Sequence, residues 1–253
     1  MLLAPLLHQP SRAGVVCDFD GTLAPIVEDP ATARPLPGAV ELLHRLASRY
    51  ATVAVVSGRP LAFLTEHLDL SPGSRLRAFG VYGLETVGAE DRFAHWRTVV
   101  AGVAERAESQ APTGVLVERK GLSVTVHYRT APEAEPWARA FARAEAARTG
   151  LALHPARRSE ELLPPVAVDK GTVVAELAAE LAAVCFLGDD SGDLPAFTAL
   201  DALAASRGVV VRKVAVVSDE APAGLTEQAD IVVDGPVGVL ELLTALVPPS
   251  PDP

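Results

Sequence analysis

Asp18-Phe19-Asp20-Gly21-Thr22 places two carboxylates two residues apart, directly after the apolar run Val15-Val16-Cys17. Such a run reads as a buried strand of a parallel sheet, and the carboxyl edge of that sheet is where α/β folds carry their chemistry. Gly21 lets the backbone turn sharply beyond the second acid. Like charges this close repel, so the pair calls for a bound cation or a shared proton. Further acids downstream favour the cation. Gly188-Asp189-Asp190-Ser191-Gly192-Asp193 follows a second apolar run, Val184-Cys185-Phe186-Leu187. Between the two lie Val53-Ala54-Val55-Val56, ending on Ser57-Gly58-Arg59, and the triplet Asp169-Lys170-Gly171. A calcium loop of the EF-hand type does not fit the second acidic cluster, which lacks the twelve-residue spacing and the closing Glu.

The elements that must hold these residues are legible from periodicity. Residues 38–49 repeat at helical spacing behind Pro37-Gly38, a strand follows at 52–56, and Pro60 opens a helix carrying Leu61, Leu64 and Leu68. Alternating strands and helices imply βαβ units and a parallel sheet. Near residue 86 the pattern changes. Trp96, Val99, Val100, Val103 and Ala107 form one helical stripe, Val115 to Arg129 reads as two strands turning at about Lys120-Gly121, and Pro136 opens a helix that Gly150 stops. One more extended segment is expected near 151–163. The parallel pattern then resumes with a helix over 171–183, a strand at 184–187, a helix over 193–200, strands near 209–217 and 231–233, and a helix over 237–246. The expected organisation is therefore a parallel α/β core, 1–86 with 164–247, interrupted by an α+β insertion at 87–163. The Pro-rich ending 248–253 is expected to be disordered.

In the second expected strand of the insertion, Leu122, Val124, Val126 and Tyr128 alternate with Ser123, Thr125, His127 and Arg129. One face is apolar, to pack on the inserted helices, and the other polar, able to meet a hydroxyl-rich ligand. Glu118 and Lys120 share a face on the preceding strand by the same period.

The order of the four core motifs resembles the haloacid dehalogenase-like phosphatase superfamily. That resemblance implies a Rossmann-like core with a cap. It makes Asp18 a covalent nucleophile, Asp20 a general acid and base, Ser57 a donor to the phosphoryl group and Lys170 the neutraliser of its growing charge. It also implies Mg2+, held by the Asp18 carboxylate, the Asp20 backbone carbonyl and Asp189, with Asp190 and Asp193 orienting metal-bound water. Within the superfamily the chain is similar to the trehalose-phosphate phosphatases over nearly its whole length. The similarity rests on Asp18 to Ile26, Ser57-Gly58-Arg59, Gly80 to Glu85, Glu118 to Arg129, Glu161 to Pro164 and Asp169-Lys170-Gly171. It implies substrate contacts from Thr22, Gly58 and Arg59, and sugar recognition by Glu118, Lys120 and Glu161. Tyr82 and Leu163 depart from the family, which often has His and Arg there. A non-catalytic sugar-phosphate sensor on the same fold should have lost one of Asp18, Asp20, Lys170 or Asp189, and all four are present. The expected substrate is trehalose 6-phosphate, with sucrose phosphate or mannosylglycerate phosphate as the alternative. A separate trehalose-phosphate synthase is the expected companion enzyme.

Bulk properties bound the rest. At 253 residues and 49% hydrophobic, the chain can bury a substantial core. A net charge of −10, with no basic stripe, argues against nucleic acid. The apolar runs are too short to span a bilayer, and Met1 to Leu7 lacks the basic start of a signal peptide. Two cysteines inside expected strands read as small core residues of a cytoplasmic protein. Nineteen Arg stand against three Lys, namely Lys120, Lys170 and Lys213, which singles out the first two for point-charge chemistry.

Overall fold

A computed structural model of the chain describes residues 2–86, 93–156, 158–217 and 223–247. The chain forms two compact units, Met1–Val87 with Val168–Pro253, and Gly88–Ala167. The expected tail at 248–253 and the expected start of the insertion at residue 87 lie outside the described residues.

The first unit is a seven-stranded sheet. In chain order its strands are Ala13–Cys17 (β1), Thr52–Val56 (β2), Leu76–Gly80 (β3) and Glu85–Thr86 (β4). Four inserted strands follow: Leu116–Arg119 (β5), Val124–His127 (β6), Ala152–Ala156 (β7) and Ser159–Leu163 (β8). The chain then returns to the first sheet with Ala183–Gly188 (β9), Val210–Val217 (β10) and Ile231–Asp234 (β11). The strand order is β11-β10-β9-β1-β2-β3-β4, parallel throughout except for the short antiparallel β4. Strand β1 pairs with β2 on one side and β9 on the other, which makes its carboxyl end the point where the winding reverses and ligands bind in such sheets.

Alternation along β1, β2 and β9 feeds two separate cores, as expected of a sheet buried on both faces. Val15, Cys17, Val53, Val55, Cys185 and Leu187 pack on one side with Leu43, Leu46 and Tyr50. Val16, Ala54, Val56, Val184 and Phe186 pack on the other with Val174, Phe197 and Leu200. Both cysteines are buried, free thiols.

The second unit is an antiparallel sheet, β5-β6-β8-β7. Helices Ala94–Gln110 and Glu135–Thr149 cover one of its faces, where Val124, Val126, Tyr128 and Leu162 meet Val100, Val103, Ala138 and Phe141. The turn expected at Lys120-Gly121 is present, with Gly121 at φ 73° and the Lys120 N–H bonded to the Ser123 carbonyl.

Several elements differ from expectation. The extended segment expected near 151–163 is a hairpin of two strands, β7 and β8, with Arg158 in the left-handed region. Strand β3 and helix Ala223–Gln228 had no counterpart in the periodicity. The helix expected over 193–200 runs Leu194–Arg207 and stops at Gly208, whereas the one expected over 171–183 ends at Ala178. Among the described residues no helix is long and apolar enough to cross a membrane.

Candidate active site

Three neighbouring strand ends bring the core motifs together. Cys17 lies opposite Leu187 in β9 and Val55 in β2, so Asp18, Asp189 and Ser57 emerge side by side. The Asp18 N–H continues the ladder by bonding the Leu187 carbonyl at 2.9 Å. Carboxylate oxygens of Asp18, Asp189 and Asp193 lie within 4.8 Å of one another, all three buried.

Two glycines make that approach possible. Gly21 has φ 72°, and a Cβ built on it would lie 2.0 Å from Asp189 Oδ2. A Cβ on Gly188 would lie 2.2 Å from Asp193 Cγ. Any side chain at either position would have to displace an acid.

Lys170 begins the helix Lys170–Ala178, where the dipole disfavours a cation. Anions supply the compensation. Its Nζ lies 2.9 Å from Asp18 Oδ1 and 2.7 Å from Asp193 Oδ1, and the residue is only 3% exposed. Burial works against its charge, but Asp18, Asp193 and Asp190 outweigh burial and hold the ammonium well above the usual lysine range. Asp193 uses its other oxygen to accept the backbone N–H groups of Asp189 (2.9 Å) and Asp190 (3.1 Å). This carboxylate therefore fixes both Lys170 and the loop carrying Asp189. Asp190 is exposed, and its side chain accepts from the Gly192 N–H at 2.8 Å.

The cluster is short of positive charge. With all three acids ionised, one ammonium would leave an excess of two negative charges in a buried space. Burial, together with repulsion from Asp18, Asp193 and Asp190, pushes the Asp189 carboxyl up to about 9. Burial likewise raises Asp18 well above the usual carboxylate range, against the pull of Lys170. Oxygen donors gathered this closely, with a twofold charge deficit, fit a hard divalent cation.

Ser57 is buried at the end of β2, and its Oγ accepts the Arg59 N–H at 3.2 Å, leaving its own proton to donate. The nearby helix Leu61–His67 offers little to an anion, because Glu85 Oε2 already accepts the Leu61 N–H at 2.7 Å. Gly58 is covered by the ring of Tyr82, 2.8 Å from a Cβ built there, and Tyr82 itself sits at φ 59°. The Thr22 hydroxyl is buried without a partner.

Arg59 was expected at the substrate rim. Its guanidinium is buried and forks onto Asp20, with Nε 2.7 Å from Oδ2 and Nη2 2.6 Å from Oδ1. No local sequence signal joins positions 39 apart, and the pairing was missed.

In the second unit, Glu118, Thr125, Glu161 and His154 stand in one row across β5, β6, β8 and β7. Lys120 Nζ lies 3.4 Å from Glu161 Oε1 and 3.6 Å from Glu118 Oε2, so the three residues singled out for sugar recognition form one cluster. Ser123 Oγ donates to Glu161 at 2.6 Å, and His127 Nε2 lies 2.9 Å from Glu118 Oε2. The Thr125 hydroxyl is buried among them without a partner. Ser123 and His127 were visible as polar-face residues, but their specific pairings were not.

The trehalose-phosphatase family model matches residues 16–228. The chain belongs to this family. The trehalose-phosphate phosphatase of Mycobacterium marinum is 36% identical over 207 residues, which is 75% of this chain and 52% of that protein. The chain thus spans about half the length of the curated relatives it matches in the family. The C-terminal domain of Candida albicans trehalose-6-phosphate phosphatase matches with TM-score 0.75 at 23% identity, over 96% of each chain. A haloacid dehalogenase-like hydrolase from Bacteroides thetaiotaomicron matches with TM-score 0.61 at 15% identity, over 92% of this chain and 99% of that one. Both structures share this chain's fold, a mostly parallel core sheet with a separate antiparallel unit.

Proposed function

We propose that the protein is a phosphomonoesterase that hydrolyses trehalose 6-phosphate to trehalose and inorganic phosphate. The observation that carries the chemistry is the buried convergence of Asp18, Asp189 and Asp193, two of which, Asp18 and Asp193, also hold the Lys170 ammonium, with Asp20 two residues along from Asp18. Family membership and the sugar phosphatase named in the relatives support the substrate.

In the first step an Asp18 oxygen attacks phosphorus and the bond from phosphorus to the sugar oxygen breaks. Asp20, in its acid form, gives its proton to that departing oxygen, and Asp18 is left as an aspartyl-phosphate. In the second step water attacks the same phosphorus while Asp20 takes its proton back. Phosphate leaves and the Asp18 carboxylate is restored. Lys170, held by Asp193, neutralises charge growing on the transferring group, and Ser57 donates to one of its oxygens. Asp18, the Asp20 carbonyl and Asp189 would hold Mg2+, which when bound supplies a positive charge for the phosphoryl oxygens, and Asp190 and Asp193 would orient its water.

Thr22 and Gly58 lie beside this machinery in sequence and are assigned to the substrate's phosphate end. Glu118, Lys120 and Glu161 are assigned to the sugar, because an acid–base cluster can serve both the donor and the acceptor sides of hydroxyls. The enzyme is taken to work in the cytoplasm beside a separate synthase that makes its substrate.

Phosphate release from trehalose 6-phosphate, sucrose 6-phosphate, mannosylglycerate phosphate and glucose 6-phosphate in Mg2+ tests the reading. The disaccharide trehalose phosphate should be turned over fastest. Preference for the monosaccharide phosphate would refute the sugar assignment, and absence of turnover on all four would refute the enzyme.

A further inference from the structure

We propose that Arg59 is the positioning residue for Asp20: its guanidinium aims the Asp20 carboxyl at the leaving oxygen and does not itself touch the substrate. The inference rests on the reading of Asp20 as proton donor and goes beyond it.

The guanidinium plane is fixed from several sides. Nε and Nη2 take the two Asp20 oxygens at 2.7 and 2.6 Å, and Nη1 donates to the Pro30 carbonyl at 2.7 Å. Its Cζ lies 4.6 Å over the Phe63 ring, which stands edge-on to Phe19 at 5.5 Å. The main chain is held as well, since the Arg59 N–H reaches Ser57 Oγ and the Arg59 carbonyl accepts the Val81 N–H at 2.9 Å. Arg59's side chain is 8% exposed and Asp20's 31%. The rigid, buried partner therefore holds the exposed one. A planar fork fixes the plane of the carboxylate it binds, which a point charge cannot do.

The fork orients Asp20 without using it up. A carboxylate has about four lone-pair directions, and two parallel N–H donors take one on each oxygen. The remaining directions stay available to the sugar oxygen and to water. Asp20 needs such a support, because it lies past the end of β1 in a turn where Gly21 has φ 72°. Misplacing a reacting group by about 1 Å can cost about 100-fold in rate.

The test exploits the leaving group. A sugar alkoxide must be protonated to depart, whereas the nitrophenolate of p-nitrophenyl phosphate leaves without help. kcat/KM reports only the steps up to that departure, so hydrolysis of the aspartyl-phosphate does not enter. The variants are Arg59→Lys, which keeps the charge but loses the fork, and Arg59→Met, which keeps the stem over Phe63. Asp20→Asn is the benchmark. For both Arg59 variants kcat/KM on trehalose 6-phosphate should fall ~10- to 100-fold, while p-nitrophenyl phosphate loses less than ~3-fold. Equal losses on both substrates, or none on either, overturn the inference and make Arg59 a structural residue. If Asp20→Asn also hits both substrates alike, the proton-donor reading falls. If Asp20→Asn discriminates and the Arg59 variants do not, only the role of Arg59 falls.

Discussion

At the residue scale, the site depends on side chains that approach more closely than their charges would choose. Gly21 shows the constraint most directly. Alanine there would keep an L side chain in the left-handed region, at about 1–2 kcal/mol. Its Cβ would also lie 2.0 Å from Asp189 Oδ2. Gly21→Ala should therefore lower kcat by at least about 100-fold while the melting temperature changes by only a few degrees, as steady-state kinetics and a thermal scan would show. Much of this placement was legible beforehand, because the acids follow apolar runs that had to be adjacent strands. The anion demanded by Lys170 at a helix start is there, in Asp18 and Asp193. What escaped was pairing at a distance: Arg59 with Asp20, Glu85 with the Leu61 N–H, Ser123 with Glu161. Such pairs are set by how strands and loops stack, and no periodicity records them.

At the element scale, the strands with continuous apolar runs were readable, whereas β3 and the division of 151–163 into two strands were not. Leu76-Arg77-Ala78-Phe79-Gly80 forms β3 without a continuous aliphatic run, because its place beside β2 is decided by tertiary pairing. The β7–β8 hairpin was hidden because its turn passes through Arg158, whose φ of 53° no Gly or Asn announces. In β8, Glu160 faces the helix side of the cap sheet opposite Val126, with Arg139 Nε 3.4 Å from its Oε1. Burial raises its carboxyl above the usual range despite Arg139. A raised native pKa means stability is fully present below the unfolded value, about 4.3, and is lost as pH climbs through the native one. Glu160→Gln should then match the parent's melting temperature near pH 3.5 and exceed it at pH 7. A difference that stays constant with pH, or reverses, would contradict this.

At the scale of the whole molecule, the presence of a mostly parallel sheet and a separate antiparallel one was legible in the change of sequence pattern. The core unit gathers three buried acids against one ammonium, so its stability should respond to a divalent ion. Mg2+ at a hundred times its dissociation constant should add about 2.7 kcal/mol to the folded state, seen as a higher melting temperature. Asp189→Asn should raise the melting temperature without the ion, by removing one repelling acid, and should abolish most of the Mg2+ response. An unchanged response would show that the ion is held elsewhere.

The most direct test of the chemistry is acid quenching of the enzyme during turnover of 32P-labelled trehalose 6-phosphate with Mg2+, followed by mapping of the labelled peptide. Label should appear on the peptide containing Asp18, be released by hydroxylamine, and be absent from Asp18→Asn, which should not turn over. An Asp18→Asn enzyme that still releases phosphate, or label mapping to another residue, would contradict a nucleophilic Asp18 at the carboxyl end of β1.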